Sequence, residues 1–343
     1  MLTIGYIANG KSTNRYHLPF VLQRKNKIKV KTIFDLDVVN VKWEKIEGIH
    51  YTSDLDELLN DEEIQMVVIC TKQKFHYEYA KKVLDHGKHV LVEKPFMMTY
   101  AQAEEIFAYA KEKGLMVQCY QNRRYDSDFL TVQKVIESGK LGELIEIEMG
   151  FDYFRPEQPM NSTECDIYES YLYGHGCHTI DQVISYFGEP DEVKYDVKCL
   201  CGKNKMSDYF DLDLIYGNMK ISVKSSYFRI KRRPSFIVYG KKGMFIKETP
   251  DRQEEHLKLF YMPDHEDFGK DNLEHFGTLT YVDENKKIHE EKIESEQGDY
   301  GRVYDAIYDT LILGKEPKVK DEQTLCLMKI LETGANSLID RYK

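Results

Sequence analysis

In the first third of the chain the hydrophobic positions come as short unbroken runs rather than in alternation. Leu2 to Ala8, Ile28 to Phe34, Met66 to Cys70, His89 to Val92 and Met116 to Cys119 each read as a strand covered on both faces, as in a parallel sheet. Helix-period segments lie between them: Tyr16 to Gln23, Asp54 to Asn60, Tyr77 to His86 and Ala101 to Lys113. Gly87 and Gly114 stop the last two, where a helix end favours φ > 0. The order βαβαβαβαβ predicts an α/β segment built on a parallel sheet over 1–120. Beyond it the texture changes. After the polar stretch Gln121 to Asp126 and a helix from Phe129 to Ser138, the runs lengthen and gain β-branched and aromatic residues. They are Leu144 to Phe154, Glu192 to Leu200, Asp208 to Tyr216, Met219 to Tyr227 and Phe236 to Tyr239. Short turns such as Gly217-Asn218 and Gly240 to Gly243 join them, which predicts a large, open, mainly antiparallel sheet. A helix from Tyr171 to Phe187 interrupts the series, and helices from Tyr300 to Leu313 and from Glu322 to Tyr342 close it. Segment 121–343 is therefore expected to be an α+β domain.

Composition narrows the function classes. A chain of 343 residues suits two domains, and 42% hydrophobic with 31% charged residues fits folded globular domains. No apolar run approaches the roughly 20 residues needed to span a bilayer, so no membrane partner is expected. Asp and Glu outnumber Lys and Arg by 58 to 48, for a net charge of -10, which argues against a nucleic-acid partner. The local run Lys231-Arg232-Arg233 reads as a solvated turn. The start carries no basic, apolar leader pattern, and the cytoplasm is the expected location. Seven cysteines, odd in number and scattered, suit reduced thiols.

The candidate chemistry gathers at the predicted strand ends. Lys94, in Glu93-Lys94-Pro95, follows the fourth strand at the sheet edge where ligands bind, and an amine there can exchange a proton with a substrate hydroxyl. A solvated lysine is the bland alternative. The turn after the first strand holds Ala8, Gly10, Lys11, Ser12 and Thr13, a degenerate form of G-x-G-x-x-G in which Gly10 lets backbone approach a pyrophosphate. Asp35 ends the second strand, where a carboxylate accepts hydrogen bonds from ribose hydroxyls and repels a 2′-phosphate. NAD is thus favoured over NADP, with Lys11 and Arg15 softening the preference. Cys70, Thr71 and His76 would sit over such a cofactor, His76 capping or orienting the loop.

Taken in order, the glycine turn, Cys70-Thr71 with His76, Gly87 through Pro95 and Gln121-Asn122-Arg123-Arg124 resemble the Gfo/Idh/MocA oxidoreductases, the glucose-fructose oxidoreductase and inositol dehydrogenase family. The resemblance runs essentially the whole length and is greatest to the bacterial branch containing scyllo-inositol dehydrogenases. It implies an NAD(P)-binding Rossmann domain over 1–120. It also implies a substrate and oligomerisation domain over 121–343, with homodimers or homotetramers, and NAD(P)-dependent oxidation of a sugar or polyol hydroxyl. It places the catalytic groups on Lys94 and His178, and adds Glu93, Asn122 and Arg124 to the cofactor contacts. Tyr153, Arg155, His175, His178 and Lys94 are the substrate contacts it suggests, with no metal. Arg123, Arg124 and Arg155 suit carboxylate or phosphate groups, or ion pairs. Asp181 is read as orienting His178 or capping local structure. One departure stands out: the aspartate usual four residues before the histidine is Gly174 here. His175, Asp166 and Tyr153 are candidate substitutes, and an NAD(H)-binding sensor without turnover is the competing function.

Overall fold

The computed structural model describes residues 1–39, 42–162 and 167–342. Its packing divides into two units. One contains Met1–Asn122, Glu255–Phe268 and Tyr300–Met328, and the other Arg123–Glu254, Gly269–Asp299 and Lys329–Lys343.

The first unit is built on six parallel strands, β1 (Leu2–Ile7), β2 (Ile28–Phe34), β3 (His50–Thr52), β4 (Met66–Ile69), β5 (His89–Val92) and β6 (Val117–Cys119). Their order is β3-β2-β1-β4-β5-β6, so the winding reverses between β1 and β4. All of β4 and the last three residues of β5 are buried, as their apolar runs require. The helices His76–Asp85 and Tyr100–Glu112 connect the strands, the second capped by the Thr99 hydroxyl accepting from Gln102 N at 3.2 Å. The first helical segment starts earlier than the sequence suggests. A wide π-type turn over Thr13–His17 runs into Leu18–Val21 and a tight turn over Leu22–Arg24. The helix Arg302–Leu313 packs on β1 and brings Tyr304 to Tyr6, their hydroxyls 2.9 Å apart.

The second unit holds an eight-stranded sheet of β7 (Leu144–Gly150), β8 (Glu192–Lys198), β9 (Tyr209–Tyr216), β10 (Met219–Ser226), β11 (Phe236–Gly240), β12 (Gly243–Lys247), β13 (Gly277–Val282) and β14 (Ile288–Ile293). The order is β14-β13-β12-β11-β7-β10-β9-β8, antiparallel throughout except for the parallel pair β7 and β10. Ile147, Leu212, Leu214, Ile221, Val238 and Phe245 form its core, and helices Ser127–Glu137 and Cys177–Phe187 pack on the sheet. Among the described residues no helix is long and apolar enough to cross a membrane.

Candidate functional site

In the first unit the chemistry lies at the carboxyl ends of β1, β2, β5 and β6, around the point where strand order reverses, the position where open α/β sheets bind ligands. Ala8 takes φ +85°, a conformation that favours glycine. The strain is held by Ala8 N donating to Phe34 O at 2.8 Å and by the Thr13 hydroxyl donating to Ala8 O at 2.6 Å. Asp35 accepts from Asn9 N at 2.6 Å and from Asp37 N at 3.1 Å, which fixes its carboxylate, half-buried, beside the turn.

Glu93 is the hub of this unit. It is 6% exposed and accepts from His17 Nε2 at 3.0 Å, from the Ser12 hydroxyl and from the backbone N–H of Lys94 at 2.9 Å. Behind it, His17 Nδ1 meets the Tyr304 hydroxyl at 2.6 Å, and Tyr304 meets Tyr6. Burial opposes the charge on Glu93, but the hydrogen bond and charge of His17, the Lys94 ammonium and the Ser12 hydroxyl outweigh it. Together they bring the carboxyl down to about 2. One carboxylate thus joins the glycine turn to the main chain of Lys94.

The residues present fit a dinucleotide. No atom lies within 4 Å of where a Cβ on Gly10 would stand, so the turn is open to close approach. Asn9 Nδ2, Gln121 Nε2 and Asn122 Oδ1, at the ends of β1 and β6, are buried without a hydrogen-bond partner among the described residues. Such atoms are costly unless a ligand meets them. Other expected contacts stand differently. Cys70 is buried beside Thr13, and burial, then the charge of Glu93, push its thiol well up. His76 is buried with Nε2 facing Thr71 O at 3.1 Å and Nδ1 facing Pro95 O and Phe96 O at 3.1 and 3.0 Å. Its ring ties the loop after β4 to the segment following Lys94 and leaves no nitrogen for a cofactor. Thr71 is half-buried, Lys11 exposed.

In the second unit an aromatic cluster surrounds the two histidines. Pairing continues past β7, with Tyr153 N donating to Ser226 O at 3.0 Å and Arg155 N to Tyr227 O at 2.9 Å, so Phe151, Tyr153 and Arg155 share one side of an extended run. A π-type turn over Leu172–Gly176 leads into Cys177–Phe187 and presents His175 and His178. The His175 ring lies 4.5 Å from Tyr171, 5.2 Å from Tyr153 and 5.7 Å from Tyr227 between centroids; His178, 5% exposed, lies 6.4 Å from Phe151. Burial, then the Glu254 carboxylate, push the Tyr153 phenol up against the opposing Arg123, Arg155 and Arg232 charges.

The arginines separate by partner. Arg124 donates to both oxygens of Asp181 at 2.8 and 2.7 Å, so Asp181 holds Arg124 rather than orienting His178. The separation between positions 124 and 181 hid that pair from the sequence. Arg123 pairs with Asp126 at 3.1 Å and with Glu254, while Arg233 grips Asp152 through two bonds of 2.8 Å. Arg155 and Arg232 lie over Tyr153 instead, 4.5 and 5.5 Å from its ring centre. Sequence reasoning missed Asn9, His17, Gln121, Tyr171, Tyr227, Arg232 and Tyr304. Of the aromatic cluster, the sequence reading names Tyr153, His175 and His178 alone. Asp166 lies outside the described residues.

Residues 2–121 match the Gfo/Idh/MocA oxidoreductase family, NAD-binding Rossmann fold, and residues 133–341 the C-terminal alpha/beta domain of the same oxidoreductase family. The chain is 48% identical to YhhX, an uncharacterized oxidoreductase of Escherichia coli, over 97% of this chain and 96% of that one. A crystal structure of yhhX matches with a TM-score of 0.92. The crystal structure of an oxidoreductase from Bacillus cereus, 45% identical, matches with a TM-score of 0.90 over 97% of this chain and 95% of that chain. Identity to IolW of Bacillus subtilis, a scyllo-inositol 2-dehydrogenase (NADP(+)), is 30% over 98% of this chain and 93% of IolW.

Proposed function

The chain belongs to the Gfo/Idh/MocA oxidoreductase family, and from that premise we propose that it transfers hydride between a sugar or cyclic polyol hydroxyl, inositol-like or aldose, and a nicotinamide dinucleotide, with Lys94 and His178 handling the proton. When bound, the dinucleotide supplies the hydride acceptor or donor. Ala8, Gly10, Lys11, Ser12 and Thr13 would hold its phosphates, Asp35 its adenosine ribose, and Thr71 and Asn122 its nicotinamide end. Lys94 stabilises negative charge growing on the substrate oxygen, and His178 or Lys94 takes the hydroxyl proton. The observation that carries this reading is the buried Glu93 carboxylate, which binds both Ser12 of the glycine turn and the backbone of Lys94. Asp35 favours NAD, against the NADP(+) of IolW. The protein works in this reading as a cytoplasmic homodimer or homotetramer.

The test is reduction of NAD+ and NADP+ with a panel of inositols, aldoses and sugar acids. The Lys94→Met variant is expected to lose at least about a hundredfold in turnover while still binding NADH. Full turnover in that variant would sink the assignment. A sensor without turnover is favoured by one observation, the open space within 4 Å of a Cβ position on Gly174. Tight NADH binding with no reduction by any compound of the panel selects it.

A further inference from the structure

We infer that the substrate carries an anionic group, a carboxylate or a phosphate ester, and that Arg155 and Arg232 bind it. The inference rests on the dehydrogenase reading only in naming the ligand as substrate; the anion site itself stands on the second unit alone.

The charges around the aromatic cluster almost all cancel locally. Arg124 is matched by Asp181, Arg233 by Asp152, and Arg123 by Asp126 and Glu254. Arg155 and Arg232 are not. Among the described residues neither guanidinium forms an ion pair; each instead stands over the ring of Tyr153. Glu157, whose charge reaches Tyr227 as that of Arg155 does, is exposed and pairs with neither. A ring face attracts a guanidinium without accepting its N–H bonds, so the donors at its edge stay available. Tyr153 packs on His175, and Phe151 spans Tyr153 and His178 at 5.5 and 6.4 Å, so the two unmatched cations sit beside the histidines. A chain with a net charge of -10 that leaves two adjacent guanidiniums without acids at this one cluster has a place for a negative ligand. Planar guanidinium forks match carboxylate and phosphate oxygens in pairs. A neutral inositol or aldose would leave both cations unanswered. A polyhydroxylated acid or a sugar phosphate answers them while its hydroxyls meet the tyrosine and histidine groups.

Titration calorimetry of the full chain, with and without saturating NADH, using gluconate, glucose 6-phosphate, glucose and myo-inositol, tests this. At least one anion should bind about tenfold or more tightly than both neutral compounds; gluconate preference identifies a carboxylate, and glucose 6-phosphate preference a phosphate ester. Arg155→Gln with Arg232→Gln should abolish that preference while the unfolding temperature stays unchanged, with Arg155→Lys intermediate. Equal binding of neutral and anionic compounds, or an anion preference that survives the double variant, overturns the inference. Arginine-dependent anion binding without any NAD+ or NADP+ reduction removes the dehydrogenase reading and keeps this one. Reduction with a neutral polyol at a rate unchanged in the double variant does the reverse.

Discussion

Glu93 stays ionised in the core because three donors converge on it, and His17, itself fully buried, contributes one of them. With the carboxyl at about 2 in the folded chain against an ordinary 4.5, the unfolded chain binds its proton first as pH falls. Stability from this group is therefore whole above about pH 4.5 and lost on the way down to 2. Replacing His17 by Phe removes a hydrogen bond to a buried charge, and the expected cost is roughly 2 to 3 kcal/mol at pH 7. It also shrinks the part of the stability that is lost between pH 4.5 and 2, since the carboxyl drifts back toward its ordinary value. Tyr304→Phe leaves the bond from His17 to Glu93 in place but unpairs the buried Nδ1 of His17 and the Tyr6 hydroxyl, and should cost roughly 1 to 3 kcal/mol with little change in pH dependence. Urea unfolding at pH 7 and pH 4 separates the two; equal losses with no change in pH dependence would contradict the role given to His17. None of this network was legible beforehand, because Glu93 and Tyr304 lie 76 and 287 positions from His17. That Lys94, Gly10 and Asp35 follow strand ends was legible, because a strand end announces itself by where an apolar run stops. Arg155 was legible as a cation, but which arginines keep an acid was not. Arg232 lies in a run that reads as a solvated turn, and the pairing of Arg233 with Asp152 is what sets the two neighbours apart.

The helix Ser127–Glu137 begins on a cap supplied from far along the chain. Asp251 accepts from Ser127 N and Gln253 N, both at 2.7 Å, filling an N–H that a helix start leaves open. Burial, then the neighbouring Asp128 charge, push the Asp251 carboxyl up to about 6 against those hydrogen bonds. Its folded value exceeds the ordinary 3.8, so its contribution to stability is present below that value and is lost as pH rises through about 6. Asp251→Asn should flatten that fall when unfolding is followed from pH 4 to 7. Gly298 closes the same cap: a Cβ there would stand 2.5 Å from Asp251 Oδ2 and from Gln253 Nε2, and 3.0 Å from Ser127 N. Gly298→Ala should cost about 1 to 3 kcal/mol at every pH, as a steric effect does. A Gly298→Ala loss that vanished at low pH would point to charge instead. Elements with one clear period were read correctly, β1, β2, β4, β5 and β6 from their apolar runs and β7 to β11 from their aromatic and β-branched content. Of the strands missed, β13 does carry β-branched and aromatic residues in alternation, and the other three lack such a signal. β3 is three residues long, β12 begins at Gly243 inside what reads as a turn, and β14 is an edge strand carrying Glu290, Glu291 and Lys292 with every residue partly or fully exposed. Register with β13, not sequence pattern, makes β14 a strand.

For the whole molecule, the eight-stranded sheet sets the terms of association. Ile237 pairs with Ile246 and Tyr239 with Met244 across β11 and β12, and all four are only partly buried, on the side opposite Phe236, Val238 and Phe245. Next to them on β7 and β10 the same rows become ionic, Glu146 with Lys220 at 2.9 Å and Glu148 with Lys224 at 3.2 Å. Apolar side chains at the middle of an exposed sheet face suit burial against a second copy, and the homodimer or homotetramer proposed above would use them. Light scattering should then give at least twice the chain's 40.4 kDa. Ile237→Lys with Ile246→Glu should return single chains that still bind NADH, because the substitutions lie away from the glycine turn in sequence and in a different unit. Salt discriminates between two ways of holding such an assembly. Each copy carries a net charge of -10, so copies repel, and screening that repulsion strengthens an interface made by apolar side chains. An interface made by the Glu146, Glu148, Lys220 and Lys224 rows weakens under the same screening. Raising NaCl from about 0.05 to 0.3 M should therefore lower the dissociation constant, and a rise would assign the contact to the ionic rows instead.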